Sequence, residues 1–102
     1  MEMEEFKTGA HRENKTGKGR FDLIEPFFLV RLAKKYEEGA LIYGADNWKK
    51  GVPNSNLWNS AFRHFTQAKM GLKDEDHIIS CIWNLIALMY NEEHGLGEEE
   101  CK

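Results

Sequence analysis

Five cationic residues, Lys7, Arg12, Lys15, Lys18 and Arg20, stand with His11 against a single Glu13 in the stretch from Lys7 to Arg20. Gly17 and Gly19 flank Lys18 within it. Glycine lets backbone approach a ligand closely, and lysine and arginine donate to phosphate oxygens, so Gly9 to Ile24 carries the chemistry of a phosphate-holding segment. Its candidate ligand contacts are Lys15, Lys18, Arg20 and Asp22. It is not a Walker loop, because Lys18 is followed by Gly19 in place of Ser or Thr and no apolar strand precedes it. The same composition also suits a solvated arm.

Further along, Arg63 and His64 lie beside an apolar stripe, where the first could clamp a phosphate and the second bond a base or phosphate. As ordinary structural residues they would be a surface arginine and a satisfied, half-buried histidine. Asp74, Glu75, Asp76 and His77 form an acidic run ending in an imidazole. Carboxylates of this kind hold Mg²⁺, which prefers oxygen ligands; they also complement a helix N-terminus with no ligand at all. His77, Cys81 and Asn84 share a helix face by their i, i+4, i+7 spacing. Asn84 sits in a strongly apolar stretch, so its amide must find a partner: a ligand, another subunit or His77. A zinc site from His64, His77 and Cys81 matches no standard structural spacing. Trp48, after Asp46-Asn47, could stack on a purine or plug one end of the core. Glu37 and Glu38 point about 100° apart on a helix, which favours a solvated face over joint chelation.

The elements that must position these groups are helical. Residues 1–24 read as loop, with a short extended piece at Arg20 to Leu23. Pro26 suits a first helical turn, and Leu29, Leu32, Ala33, Tyr36, Ala40 and Tyr43 share a broad face up to a stop at Gly44. After a loop over 45–56, Ser55 or Asn56 is the expected cap of a second helix whose buried stripe is Trp58, Ala61, Phe62, Phe65 and Ala68, ending at Gly71. Asp74 is the expected cap of a third helix running to about Glu93. That helix is apolar almost all round, which marks it as central or buried between subunits. The expected fold is therefore all-α: a three-helix unit with an N-terminal loop or extended arm, completed by homo-oligomerisation into a larger bundle. The expected organisation is a flexible N-terminus (1–8), a single helical nucleotide-binding domain (9–93) and an acidic tail (94–102).

The chain has 102 residues and a net charge of −3. One domain is all that length accommodates. The cationic start and the acidic end suggest an anionic ligand, and no long basic stripe continues through the helices, which argues against a duplex DNA partner. Cys81 sits in an apolar helix and Cys101 in a charged tail, a pairing that speaks for reduced cysteines. With no apolar run near eighteen residues and no apolar leader, the expected location is cytoplasmic.

Several blocks occur together in order: Arg12 to Ile24, Gly39-Ala40, Tyr43-Gly44, Asn47-Trp48 with Gly51, Arg63-His64, Asp74 to His77, and Trp83-Asn84. Over residues 9 to about 93 the chain resembles the phage-borne family known as the N-terminal domain of dATP/dGTP diphosphohydrolase, which is akin to the MazG-like all-α nucleotide pyrophosphohydrolases. The resemblance implies an oligomer in the cytoplasm of an infected bacterial host that converts a purine dNTP to dNMP and pyrophosphate with Mg²⁺ or Mn²⁺. Lys18, Arg20 and Arg63 would clamp phosphate and Trp48 would contact the base. Glu75, Asp76 and His77 would serve catalysis, with Asp74, Glu75 and Glu38 holding metal and Asn84 beside them. MazG-like enzymes use Glu-Glu-x-x-Glu on one helix and Glu-x-x-Asp on another; here Leu41 follows Glu37-Glu38 at the third position, and Ile78 stands three after Glu75. The alternative is a non-catalytic binder that sequesters a nucleotide, such as a cyclic nucleotide immune signal.

Overall fold

A computed structural model describes residues 3–13 and 16–98; Lys15 and Cys101 lie outside the described residues. Three helices dominate it: α1 (Phe27–Tyr43), α2 (Asn54–Lys69) and α3 (His77–His94). Two short strands precede them, β1 (Met3–Glu5) and β2 (His11–Glu13), paired antiparallel with Met3 opposite Glu13 and Glu5 opposite His11. The sequence reads as loop here because three-residue strands of Met-Glu-Glu and His-Arg-Glu are too short and polar to show apolar alternation. The extended piece expected at Arg20 to Leu23 is instead a single turn of 3-10 helix over Phe21–Leu23.

The helix boundaries follow local chemistry. Pro26 precedes α1 and its carbonyl accepts from the Leu29 N–H at 2.9 Å; Gly44, at φ +93°, ends it. α2 begins at Asn54, before the expected caps Ser55 and Asn56. Pro53 offers no capping side chain, and a distant carbonyl substitutes: the Asn54 N–H donates to Gly97 O at 2.8 Å. α3 starts two residues later than an Asp74 cap would require. Asp76 is the cap, its carboxylate accepting from the Ile79 N–H at 3.2 Å, and Gly95 (φ +64°) closes the far end. Asp74 is thereby released for another task.

α2 and α3 form an antiparallel hairpin whose seam differs from the expected one. On α3 the buried residues His77, Ser80, Asn84, Ala87 and Asn91 follow a heptad spacing, with Ile79 alongside; on α2 they are Leu57, Ala61 and His64. Short side chains at Ser80, Asn84 and Ala87 let the helices approach closely, so the large rings of α2 stay outside. Trp58, Phe62 and Phe65, expected in the core, are 59%, 72% and 54% exposed. The third helix is not buried all round either, since Ile78 and Met89 face outward. The polar seam residues are satisfied internally. Asn84 Nδ2 donates to Ser80 O at 2.8 Å, and Asn91 Nδ2 donates to Val52 O at 2.8 Å and Asn54 Oδ1 at 3.0 Å.

α1 has no fully buried residue among those described. It is held by an aromatic cluster in which Tyr36 meets Trp48 and Trp83 edge-on, at ring separations of 6.0 and 6.3 Å, and Trp48 meets Tyr90 at 4.8 Å. A compact chain of 11.9 kDa exposes about 6,000 Å². This one exposes 8409 Å², roughly 2,400 Å² more. No helix among the described residues is long and apolar enough to cross a membrane.

Candidate functional site

A cleft of about 420 Å³ opens where all three helices meet the segment between α1 and α2. α1 contributes Lys35, Tyr36, Glu38 and Gly39, the connecting segment Asn47 and Trp48, α2 Ser60, Arg63 and His64, and α3 Trp83 and Asn84. Gly39 is the telling residue on the α1 wall. A glycine inside a helix costs roughly 1 kcal/mol against alanine, yet a Cβ there would meet nothing within 4 Å. Its missing side chain widens the cleft and relieves no clash. Lys35, largely covered and 3.5 Å from Glu38, and exposed Arg63 make one side cationic. Tyr36, Trp48 and Trp83 make another aromatic. Burial pushes the Tyr36 phenol above its ordinary value, with Lys49 opposing weakly.

His64 borders this cleft and also belongs to a second cluster at the α2–α3 turn, with Glu75 and His77. His64 Nδ1 lies 2.9 Å from His77 Nδ1 and 3.2 Å from Glu75 Oε1, and His77 Nδ1 lies 3.5 Å from the same carboxylate oxygen. The other nitrogen of His77, Nε2, is 2.7 Å from Asp74 Oδ1. A carboxylate only accepts, so Nε2 carries the proton and Nδ1 presents a lone pair. Arg63 Nη2 is 3.4 Å from His64 Nε2; arginine only donates, so His64 carries its proton on Nδ1 and gives it to His77. The result is a directed chain, Arg63 to His64 to His77 to Asp74. Burial holds the His64 imidazole below its ordinary value; Glu75 pulls it back, and the positive charge of Arg63 and Lys35 pushes it further down. The His77 bond holds the Asp74 carboxyl low.

Of the residues singled out in the sequence, Glu38, Trp48, Arg63, His64 and Asn84 share the cleft. Trp48 lines the cleft and also packs in the aromatic cluster. Asn84 finds its partner in its own helix, not in His77. Glu75, Asp76 and His77 border a second cavity, also of about 420 Å³, together with Arg31. Asp76 is committed there: it caps α3 and forms two bonds with Arg31, at 2.7 and 2.6 Å, which hold its carboxyl low. Asp74, Glu75 and Glu38 are not gathered into one ligand set among the described residues. Glu75 stands with the two histidines instead. Among the described residues, none that precedes Lys35 lines the cleft. Arg20 and Asp22, both expected to touch ligand, bind each other in an exposed bidentate pair at 2.9 and 2.7 Å, which raises the guanidinium and lowers the carboxyl. Sequence reasoning missed Lys35, Tyr36 and Gly39. Gly39 inside an otherwise helical run was the available signal.

The fold and site define a small all-α domain with a cationic, aromatic-walled cleft beside a buried histidine pair. Residues 8–101 match the family described as dATP/dGTP diphosphohydrolase, N-terminal, and the chain belongs to that family. No curated protein and no solved structure matches it.

Proposed function

We propose that the cleft binds a purine deoxynucleoside triphosphate, with Lys35 and Arg63 on the phosphates and the Trp48–Trp83 wall against the base, and that the family reaction is water attack on a phosphorus atom yielding dNMP and pyrophosphate. The observation that carries this is the pairing of two cations with an aromatic wall in one concavity. Its volume lies within the roughly 300–1,000 Å³ typical of small-ligand sites. Fixed cations aimed at the phosphates offset the charge that builds on the equatorial oxygens during transfer. The family description, which names dATP and dGTP, supplies the base class.

Magnesium is the ion the resemblance implies. It demands near-ideal octahedral oxygen coordination, whereas the donors gathered at the turn are two imidazole nitrogens and one carboxylate. These residues do not fit Mg²⁺ as a resident ion, and no step is assigned to it. The uncollected carboxylates favour a second reading, binding without turnover. Purified protein incubated with each dNTP, with and without divalent metal, separates the two. Pyrophosphate release abolished by EDTA supports hydrolysis. Nucleotide recovered unchanged from a stable complex supports sequestration. No binding of any purine dNTP sinks the proposal.

The chain is further proposed to work as a homo-oligomer. The excess exposed surface supports this, being larger than the about 800 Å² per partner of a standard interface. So do the exposed rings of Trp58, Phe62 and Phe65 on α2. Light scattering after size exclusion tests it: a monomeric mass at micromolar concentration would refute it.

A further inference from the structure

The geometry points to a transition-metal centre at the α2–α3 turn, in which His64 Nδ1, His77 Nδ1 and Glu75 Oε1 bind one face of a borderline divalent ion such as Zn²⁺ or Co²⁺. The three atoms stand 2.9, 3.2 and 3.5 Å apart. With metal–ligand bonds of about 2.0–2.1 Å, neighbouring ligand atoms are roughly 3.3–3.4 Å apart in a tetrahedron and about 2.9–3.0 Å apart in an octahedron. The observed spacings bracket both values, so an ion can enter with only small side-chain shifts. Two imidazoles and one carboxylate on one face are the facial set of divalent transition metals. The remaining coordination positions stay open for water or substrate, on a cluster that borders both cavities.

The surroundings supply what such a ligand set needs. Asp74 accepts from His77 Nε2 at 2.7 Å, the carboxylate–histidine buttress that fixes a ligating ring and its tautomer. Both imidazoles are buried, while Glu75 lies half-exposed and gives the ion an entry path. In the metal-free chain the ring-to-ring hydrogen bond holds the two Nδ1 atoms together. Entry of an ion replaces that bond: the proton on His64 Nδ1 leaves and Nε2 takes one up, so no net proton is lost. His64 Nε2 then no longer accepts from Arg63, and the guanidinium is freed toward the cleft it lines. Metal occupancy and the cationic wall are thereby coupled through one side chain. The inference does not rest on the nucleotide reading, and metal alone tests it.

Chelator-stripped protein is titrated with Co²⁺, followed by its visible absorption, and Zn²⁺ is then added in competition. The expected result is one Co²⁺ per chain, displaced by equimolar Zn²⁺ and unmoved by millimolar Mg²⁺. Glu75→Gln, a change on the half-exposed turn, should weaken binding about 100-fold or more, and Asp74→Ala by roughly 10–100-fold, with helical circular dichroism unchanged in both. No saturable binding in the wild type overturns the inference. So does binding that survives Glu75→Gln, or that carries thiolate charge-transfer absorption, since the ion would then lie elsewhere.

Discussion

Gly39 separates the needs of the fold from those of the cleft. It occupies an interior position of α1 with ordinary helical backbone, and a Cβ added there meets nothing within 4 Å. Gly39→Ala should therefore stabilise the protein by about 0.5–1 kcal/mol, through the smaller backbone entropy of the unfolded chain. For a chain of this size that corresponds to a melting temperature higher by roughly 2–8 °C. Gly39→Leu keeps most of the helical gain while projecting a four-carbon branched group into a cleft of about 420 Å³. Thermal unfolding at fixed protein concentration reads the first effect, and calorimetric titration with dATP or dGTP reads the second. The reasoning gives a Leu variant at least as stable as wild type that binds nucleotide at least about tenfold more weakly, a loss of roughly 1.4 kcal/mol. A Leu variant that binds as well as wild type refutes the assignment of the cleft. A destabilised Ala variant refutes the claim that Gly39 is kept for open space.

Other positions make independent predictions. Gly97, at φ +85°, packs so tightly against the Asn54 and Asn91 side chains that no Cβ fits, so Gly97→Ala should cost about 2 kcal/mol or more and loosen the carbonyl that receives the Asn54 N–H; denaturant unfolding measures it. Trp48→Ala removes the ring joining Tyr36, Trp83 and Tyr90, and should destabilise by about 3 kcal/mol while increasing hydrogen exchange across α1 more than across α3. Asp76→Ala loses the α3 cap and an ion pair that is partly exposed and so contributes little by itself; about 1 kcal/mol is expected in thermal unfolding. Tyr36 has its folded pKa raised, so its contribution is complete below the ordinary phenol value of about 10 and is lost as pH rises through the folded value. Ultraviolet titration should find one tyrosine ionising later than the others, and Tyr36→Phe should remove that late phase.

Helical periodicity, Pro26 and Gly44 made the extent of α1 legible almost to the residue, because local chemistry sets both ends, while Leu29 and Tyr43 of the expected face stay exposed. Boundaries went astray where a distant group substitutes for a local one, as at Asn54, whose N–H is satisfied by Gly97. At α3 the choice between Asp74 and Asp76 turned on which aspartate His77 would engage, and spacing alone does not reveal that. The α2 stripe was misread for a different reason. Rings at Trp58, Phe62 and Phe65 fit a helical face as well as Leu57, Ala61 and His64 do, and only the small residues of α3 decide which face closes. Arg63, His64 and Glu38 were picked out as functional and do meet in or beside the cleft. The N-terminal segment drew attention by its charge and its glycines, and neither carries information about the local Arg20–Asp22 pair.

Trp48 and Trp83 line the cleft, so their fluorescence gives the most direct test of the central claim that this cleft binds a purine nucleotide. Titrating dATP or dGTP into wild-type protein and into a Lys35→Ala/Arg63→Ala variant should give a saturable change in the first. In the second, the half-saturation concentration should rise by about 100-fold, the loss of two charge-assisted contacts at roughly 1.4 kcal/mol each. A variant that saturates at the wild-type concentration would contradict the account.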